Sequence, residues 1–141
     1  MKRDDQRTPA LYLLDTNILS EVIKHPSGET ATRLKMLPHE SIVTSVVVSC
    51  ELMFGAEKKG SATLKQRVNA LLRAIVVLPL AGPEFSEVYS KTRVAMEKTG
   101  DVISAHDLLI ACQALSINAT VVTRNVREFS RVPGLRVQSW S

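Results

Sequence analysis

Short apolar runs alternate along the chain with longer stretches in which apolar residues recur every three or four positions. Residues 10–14 form one such run, ending at the polar cluster Asp15-Thr16-Asn17; this reads as a fully buried strand and a turn, with helix resuming at Ile18. A second helix is predicted over residues 29–37, closed by Pro38, and residues 41–44 read as another buried strand. Helix follows over residues 46–58, with Val47, Cys50 and Phe54, and Val46 and Met53, at helical offsets. Gly60-Ser61 opens a further helix with Leu64, Val68, Leu71 and Leu72 on one face, and residues 75–78 before Pro79 give a third strand. Residues 83–98 form an amphipathic helix stopped by Gly100, and another begins near Ser104 with Leu108, Leu109, Ala111, Cys112 and Leu115. Residues 120–123 supply a fourth strand, residues 126–129 a helical turn, and residues 135–137 a last extended piece.

Buried strands alternating with amphipathic helices predict an α/β/α sandwich around a central parallel sheet of four to five strands, because parallel strands need long crossovers and helices provide them. Ligands of such sheets bind beyond the strand C-termini, so the residues that follow each strand decide function. With 141 residues, 45% hydrophobic side chains and no linker, repeat or low-complexity segment, residues 1–141 are expected to form a single domain. No run of about 18 apolar residues occurs, and residues 1–7 lack the apolar core of a secretory signal; the expectation is a cytoplasmic protein without a membrane span. Cys50 and Cys112 each fall in an apolar, helical stretch and read as small buried thiols rather than a disulfide or zinc site. Lys plus Arg number 18 against 14 Asp plus Glu, a formal charge of +4, which suits nucleic-acid binding without establishing it.

Carboxylates at costly positions say more. Asp15 directly follows the first strand, Glu51 stands two turns into the helix after the second, Asp107 opens the apolar helix containing Leu108-Leu109-Ile110-Ala111, and Asn125 follows the last clear strand. Asp15 or Asp107 alone could be a helix cap, a common role worth roughly 0.5–2 kcal/mol. Glu51 has no such explanation, since it lies inside its helix among apolar neighbours, where a carboxylate needs a partner or a metal. Converging carboxylates about 4 Å apart repel by roughly 4 kcal/mol at an effective dielectric of about 20. Mg²⁺ or Mn²⁺ answers that repulsion, because hard divalent cations choose oxygen ligands and keep waters.

Four segments then carry a resemblance: Leu14-Asp15-Thr16-Asn17-Ile18-Leu19-Ser20-Glu21; Thr44-Ser45 with Glu51-Leu52-Met53-Phe54-Gly55-Ala56-Glu57; Ser104-Ala105-His106-Asp107-Leu108-Leu109-Ile110-Ala111; and Val122-Thr123-Arg124-Asn125-Val126-Arg127-Glu128-Phe129. In this order and register, with Val132-Pro133-Gly134-Leu135 and Trp140 at the end, the chain resembles VapC-type PIN-domain toxins over nearly its whole length. The resemblance implies a PIN-like sandwich and a Mg²⁺- or Mn²⁺-dependent endoribonuclease, the toxin of a type II toxin–antitoxin pair. It also implies a homodimer, held inactive by a small cognate antitoxin, acting on RNA with tRNA as a family-level candidate. Its acidic residues carry over as Asp15, Glu51 and Asp107. Asn125 departs from the many PIN nucleases with a fourth carboxylate there, which points to one tightly bound ion.

The expected roles follow. Asp15 and Asp107 hold the ion directly or through water, Glu51 orients a water or accepts its proton, and Thr16, Asn17, Ser45 and Asn125 surround them with hydrogen bonds. Arg124, beside Asn125, and Arg93, on the helix before Gly100, are candidates to contact phosphate or brace the acidic cluster. His106 is expected at the rim of the site or in a structural role, and Glu21, Glu57, Asp101, Lys58, Lys59 and Lys65 on solvated surfaces or caps. Phosphate-binding-loop, dinucleotide-loop, nucleophile-elbow and paired-cysteine motifs are missing, which removes the usual signatures of nucleotide hydrolases, dinucleotide enzymes, serine hydrolases and zinc proteins. A DNA-directed or repair nuclease built on the same cluster, and a non-catalytic module that binds metal or a partner, are the alternatives. Aromatic residues make up only 4% of the chain, which argues against a stacking platform for single strands.

Overall fold

The computed structural model describes residues 10–140; the opening segment, residues 1–7, on which the secretory-signal reading rests, lies outside them. Five parallel strands, β1 (Tyr12–Leu14), β2 (Ile42–Ser45), β3 (Val76–Leu78), β4 (Thr120–Val122) and β5 (Arg136–Gln138), form one sheet in the order β3-β2-β1-β4-β5. The strands that the other two flank are buried: Leu13, Leu14, Val121 and Val122 are fully inaccessible, as a parallel sheet covered on both faces requires. The edges are wetter, and Val76 of β3 is 48% exposed.

The helices are α1 (Thr16–Lys24), α2 (Glu29–Lys35), α3 (Val46–Lys59), α4 (Ala62–Ala74), α5 (Pro83–Thr99), α6 (Ala105–Ser116) and the single turn α7 (Val126–Phe129). Helices α1 to α4 pack among themselves and α5 packs on α6. Right-handed crossovers carry the first group from β1 out to β3, and the chain then returns through α5 and α6 to β4 on the far side of β1, which puts the two groups on opposite faces. The expected α/β/α sandwich with a parallel sheet is what the chain adopts. No helix of the described residues is long and apolar enough to cross a membrane.

Element boundaries moved where caps decide them. Helix α1 starts at Thr16, not Ile18, because Asp15 is its cap: Oδ1 accepts the Thr16 amide at 2.8 Å, so Thr16 and Asn17 belong to the first helical turn. Ser45, Ser61 and Ser104 cap α3, α4 and α6 in the same way. Gly100 ends α5 as expected, at φ +75°, a left-handed conformation that a side chain would strain.

The face assigned to α3 needs correction. Its buried stripe is Val48, Leu52 and Ala56, whereas Phe54 is 65% exposed and Cys50 is exposed too. The first turns of this helix are apolar nearly all round, so periodicity could not choose between faces. Cys112 is buried, as expected.

Order reverses at β1, with β2 and β3 laid to one side of it and β4 and β5 to the other. A crevice opens at the C-terminal ends of strands where such a reversal occurs. Asp15 emerges there from β1 and Thr123-Arg124-Asn125 from β4, tied together by the Asp15 amide donating to the Val122 carbonyl at 2.9 Å. Gln113 of α6 donates through Nε2 to the Leu78 and Pro79 carbonyls, both at 3.2 Å, which fixes α6 against the end of β3.

Candidate metal centre and its surroundings

A cavity of about 430 Å³ occupies this crevice, and Asp15, Thr16, Asn17, Glu51, Asp107 and Asn125 all line it. Residues separated by up to 110 positions in sequence thus meet at one place, as predicted. Ser20, Glu21, Lys24 and Arg124 complete the wall.

Asp15 is 5% exposed and held at both oxygens: Oδ1 by the Thr16 amide, Oδ2 by the Thr123 hydroxyl at 2.7 Å. Burial raises its pKa above the ordinary carboxylate value; the bonds from Thr123 and Thr16 oppose the rise, and the charges of Glu51 and Glu128 add to it. Thr123, itself fully buried, also accepts the Asn125 amide at 3.0 Å, so one hydroxyl links the ends of β1 and β4. Asp107 stands in the first turn of α6, its amide donating to Ser104 Oγ at 3.3 Å. Its pKa is pushed up to about 7, first by burial, then by a bond shared with Glu128 and by repulsion from Glu128 and Asp15.

Glu128 is a carboxylate that the sequence reading did not single out. It accepts the Ser104 amide at 3.0 Å and the Asn125 side-chain amide, and these bonds, with the proton of Asp107, hold its pKa below the ordinary value. The three-carboxylate centre expected from Asp15, Glu51 and Asp107 is therefore augmented: Asn125 leaves its own position neutral but positions Glu128, one helical turn on, beside Asp107. An Asn followed by Glu three residues later at the start of a helical turn was the available signal.

Glu51 is 32% exposed rather than enclosed. Its Oε1 accepts the Thr16 hydroxyl at 2.5 Å, and Oε2 lies 3.2 Å from Nδ1 of His106, which stands 66% exposed at the rim, as anticipated. Asn17 Oδ1 accepts the Arg124 amide at 3.2 Å, and the Arg124 guanidinium pairs with Glu21 at 3.3 Å. Glu21 thus belongs to the cavity, not to a solvated helix face.

Two expected neighbours are elsewhere. Ser45 is fully buried and its hydroxyl accepts the Val47 amide at 3.0 Å, so it caps the helix that carries Glu51 instead of lining the cavity. Arg93 is engaged on α5 with Glu97 at 3.0 Å and the Tyr89 hydroxyl at 2.9 Å, and it is absent from the cavity wall. Its position before Gly100 gave proximity in sequence but the wrong direction in space.

Among the described residues, no three His, Cys, Asp or Glu side chains are grouped so that they could together hold a metal ion. The donor set nevertheless fits a hard cation. It is all oxygen, and burial together with mutual repulsion raises the pKa of both Asp15 and Asp107, a cost to their charged forms that a divalent cation would relieve. Asp15 and Asp107, which both line the cavity, are the pair that could hold one, with Glu128 beside Asp107.

A family model for the PIN domain matches residues 12–135. The chain belongs to the PIN-domain family. Among its PIN-domain relatives, ribonuclease VapC1 of Haemophilus influenzae is 36% identical over 134 residues, covering 93% of this chain and 98% of the relative. The tRNA(fMet)-specific endonuclease VapC of Shigella flexneri is 31% identical over 134 residues, covering 92% and 98%. Among solved structures, VapBC2 from Rickettsia felis bound to a DNA fragment from its promoter superposes with a TM-score of 0.85 at 30% identity, over 93% of this chain and 99% of that one. The VapC likeness expected from the four motifs is thus matched in sequence and in fold.

Proposed function

We propose that this PIN-domain chain is a divalent-metal-dependent endoribonuclease and the toxin half of a type II toxin–antitoxin pair. The observation that carries the reading is the meeting of Asp15 and Asp107 at the reversal point of the sheet, with Glu51 and Glu128 on either side. Relatives named as ribonuclease VapC and the VapBC complex support the activity and the antitoxin partner. Mg²⁺ is the ion proposed, with Mn²⁺ able to replace it, and a structured RNA such as tRNA is the proposed target, after the Shigella flexneri relative. The proposed location is the cytoplasm.

The bound cation supplies Lewis-acid polarisation of the scissile phosphate and a lowered pKa for an attacking water. Asp15, locked by Thr16 and Thr123, would contribute a fixed carboxylate to hold that ion. Asp107, whose pKa is raised to about 7 beside Glu128, would be the carboxylate that gains most from a bound cation. Glu51, aimed by the Thr16 hydroxyl, accepts the proton of the attacking water, and His106 at the rim offers that proton a way out. Lys24 and Arg124 are the cations on the cavity wall and meet phosphate oxygens; Arg124 must exchange Glu21 for one. The apolar face of α3, with exposed Cys50 and Phe54 and half-buried Val47 beside Leu109 of α6, is the surface the proposed homodimer would cover.

Incubating the purified protein and Mg²⁺ with RNA and DNA of matched sequence tests the reading. Cleavage of RNA alone is expected; cleavage of DNA alone would make it a deoxyribonuclease, and cleavage of neither would leave a binding module.

A further inference from the structure

Next to the acidic cavity lies a second, smaller cleft of about 160 Å³ between α1, α3 and α4. Thr16, Ser20, Lys24 and Glu51 line both, so the two are continuous. Beyond them the walls turn apolar, with Ile23, Leu52, Ala56, Leu64 and Val68, and Lys59 lines the cleft as well as Lys24.

Gly55 is the unexplained residue in this cleft. It sits in the middle of the fourteen-residue helix α3, where glycine is less favourable than alanine, and nothing packs closely enough to demand it. A Cβ built at Gly55 meets no atom within 4 Å. A side chain there would enter the cleft, so the glycine keeps the space open.

We propose that this cleft receives one nucleobase of the RNA, from a nucleotide flanking the scissile phosphate, and so contributes to the choice of cleavage site. The inference rests on the ribonuclease reading above. The volume is far below that of a drug-sized pocket and suits a single flat ring system. Apolar walls take the faces of a base splayed out of its stack, and Ser20, Thr16 and Glu51 at the junction offer hydrogen-bonding groups to its edge. Lys24 and Lys59, both exposed and both lining the cleft, offer cations to the backbone phosphates next to that base. An aliphatic side chain of a protein partner would satisfy the walls but would leave the lysines and the shared boundary with the acidic cavity without a purpose.

The test begins by mapping a cut made by the wild-type protein with Mn²⁺ in a short RNA, then removing the base, one position at a time, from the two nucleotides on each side. At one position the loss of the base lowers kcat/KM roughly 10- to 100-fold, the scale of a base held in a protein site. Gly55→Leu, which fills the cleft, shows the same loss on intact RNA, while Gly55→Ala shows little. On the RNA lacking that base, Gly55→Leu and wild type cleave at equal rates, which separates a blocked cleft from damage to Glu51 one turn away. Wild-type cleavage indifferent to every base removal overturns the proposal, whether or not Gly55→Leu folds. Undiminished cleavage of intact RNA by folded Gly55→Leu overturns it too, and if that variant no longer binds its antitoxin the cleft is a protein-docking site. Failure of the wild-type protein to cut RNA at all is the distinct outcome that overturns the ribonuclease reading itself and this inference with it.

Discussion

Replacing Asp107 by Asn should make the metal-free protein more stable, not less, at slightly alkaline pH. The ordinary carboxylate value of 3.8 is raised to about 7 at Asp107, so in the folded state this group keeps a proton that the unfolded chain gives up. A carboxylate raised in this way favours folding fully below its unfolded pKa, and that contribution is lost as pH rises through the folded value. Taken whole, the difference corresponds to about 4 kcal/mol at roughly 1.36 kcal/mol per pH unit. Asp107 is only half buried, and Glu128 beside it is shifted the opposite way, so solvent screening and this compensation leave about 1–2 kcal/mol. The amide of Asn carries no charge to repel Asp15 and Glu128, and the backbone bond from the residue 107 amide to Ser104 is retained. Thermal unfolding in a chelator at pH 8 should therefore place Asp107→Asn roughly 3–8 °C above wild type, with the gap narrowing as pH falls below about 7 and closing only near pH 4. Adding Mg²⁺ or Mn²⁺ to 100 times its dissociation constant should then raise the wild type by about 2.7 kcal/mol and leave the variant nearly unmoved. A variant less stable than wild type in chelator at pH 8, or a gap that does not depend on pH, would refute this account of the cluster.

Glu128→Gln should weaken Mn²⁺ binding by about 10-fold in a calorimetric titration, within the range seen when groups around a metal site are changed; unchanged affinity would remove Glu128 from the centre. Thr123→Val takes away the buried donor to Asp15 Oδ2, so it should destabilise by about 1–3 kcal/mol and move the acid limb of the pH–rate profile upward, since the ionised form of Asp15 loses a hydrogen bond. Arg124→Ala should raise KM for RNA several-fold with kcat little changed, the pattern of a group that holds substrate equally before and during reaction. Arg93→Ala, on α5 and paired with Glu97, should leave both within about twofold.

The fold was legible because its signals were local and redundant. Residues 10–14 and 120–123 are apolar or β-branched on both faces, which only a covered parallel strand accepts, and Ser61, Ser104 and Gly100 marked helix ends by their own chemistry. Asp15, Glu51 and Asp107 were legible for another reason: each is a charge set in an apolar stretch of sequence, although only Asp15 and Asp107 are shifted by burial in the structure. Helix α3 was harder, since Val46-Val47-Val48 offers apolar side chains all round and only the tertiary partners of Val48, Leu52 and Ala56 settle which face turns inward. Ser45 and Arg93 show the limit of proximity along the chain, because a hydroxyl already spent on a helix cap and a guanidinium closed on its own helix cannot serve the cavity. Glu128 and Thr123 are harder to read because neither residue type is unusual in a sequence: Thr123 matters only once β1 and β4 lie side by side, and Glu128 only once its helical turn meets the start of α6.

The central claim is that Asp15 and Asp107 together create a cation-dependent centre for cutting RNA. Cleavage of one defined RNA by wild type, Asp15→Asn and Asp107→Asn, measured from chelator through millimolar Mg²⁺ and Mn²⁺, tests it most directly. The account predicts no cleavage by wild type in chelator, activity that rises and saturates with either ion, and at least a roughly 100-fold loss in each variant at saturating ion. Near-full activity in both variants, or wild-type cleavage undiminished by chelator, would contradict it.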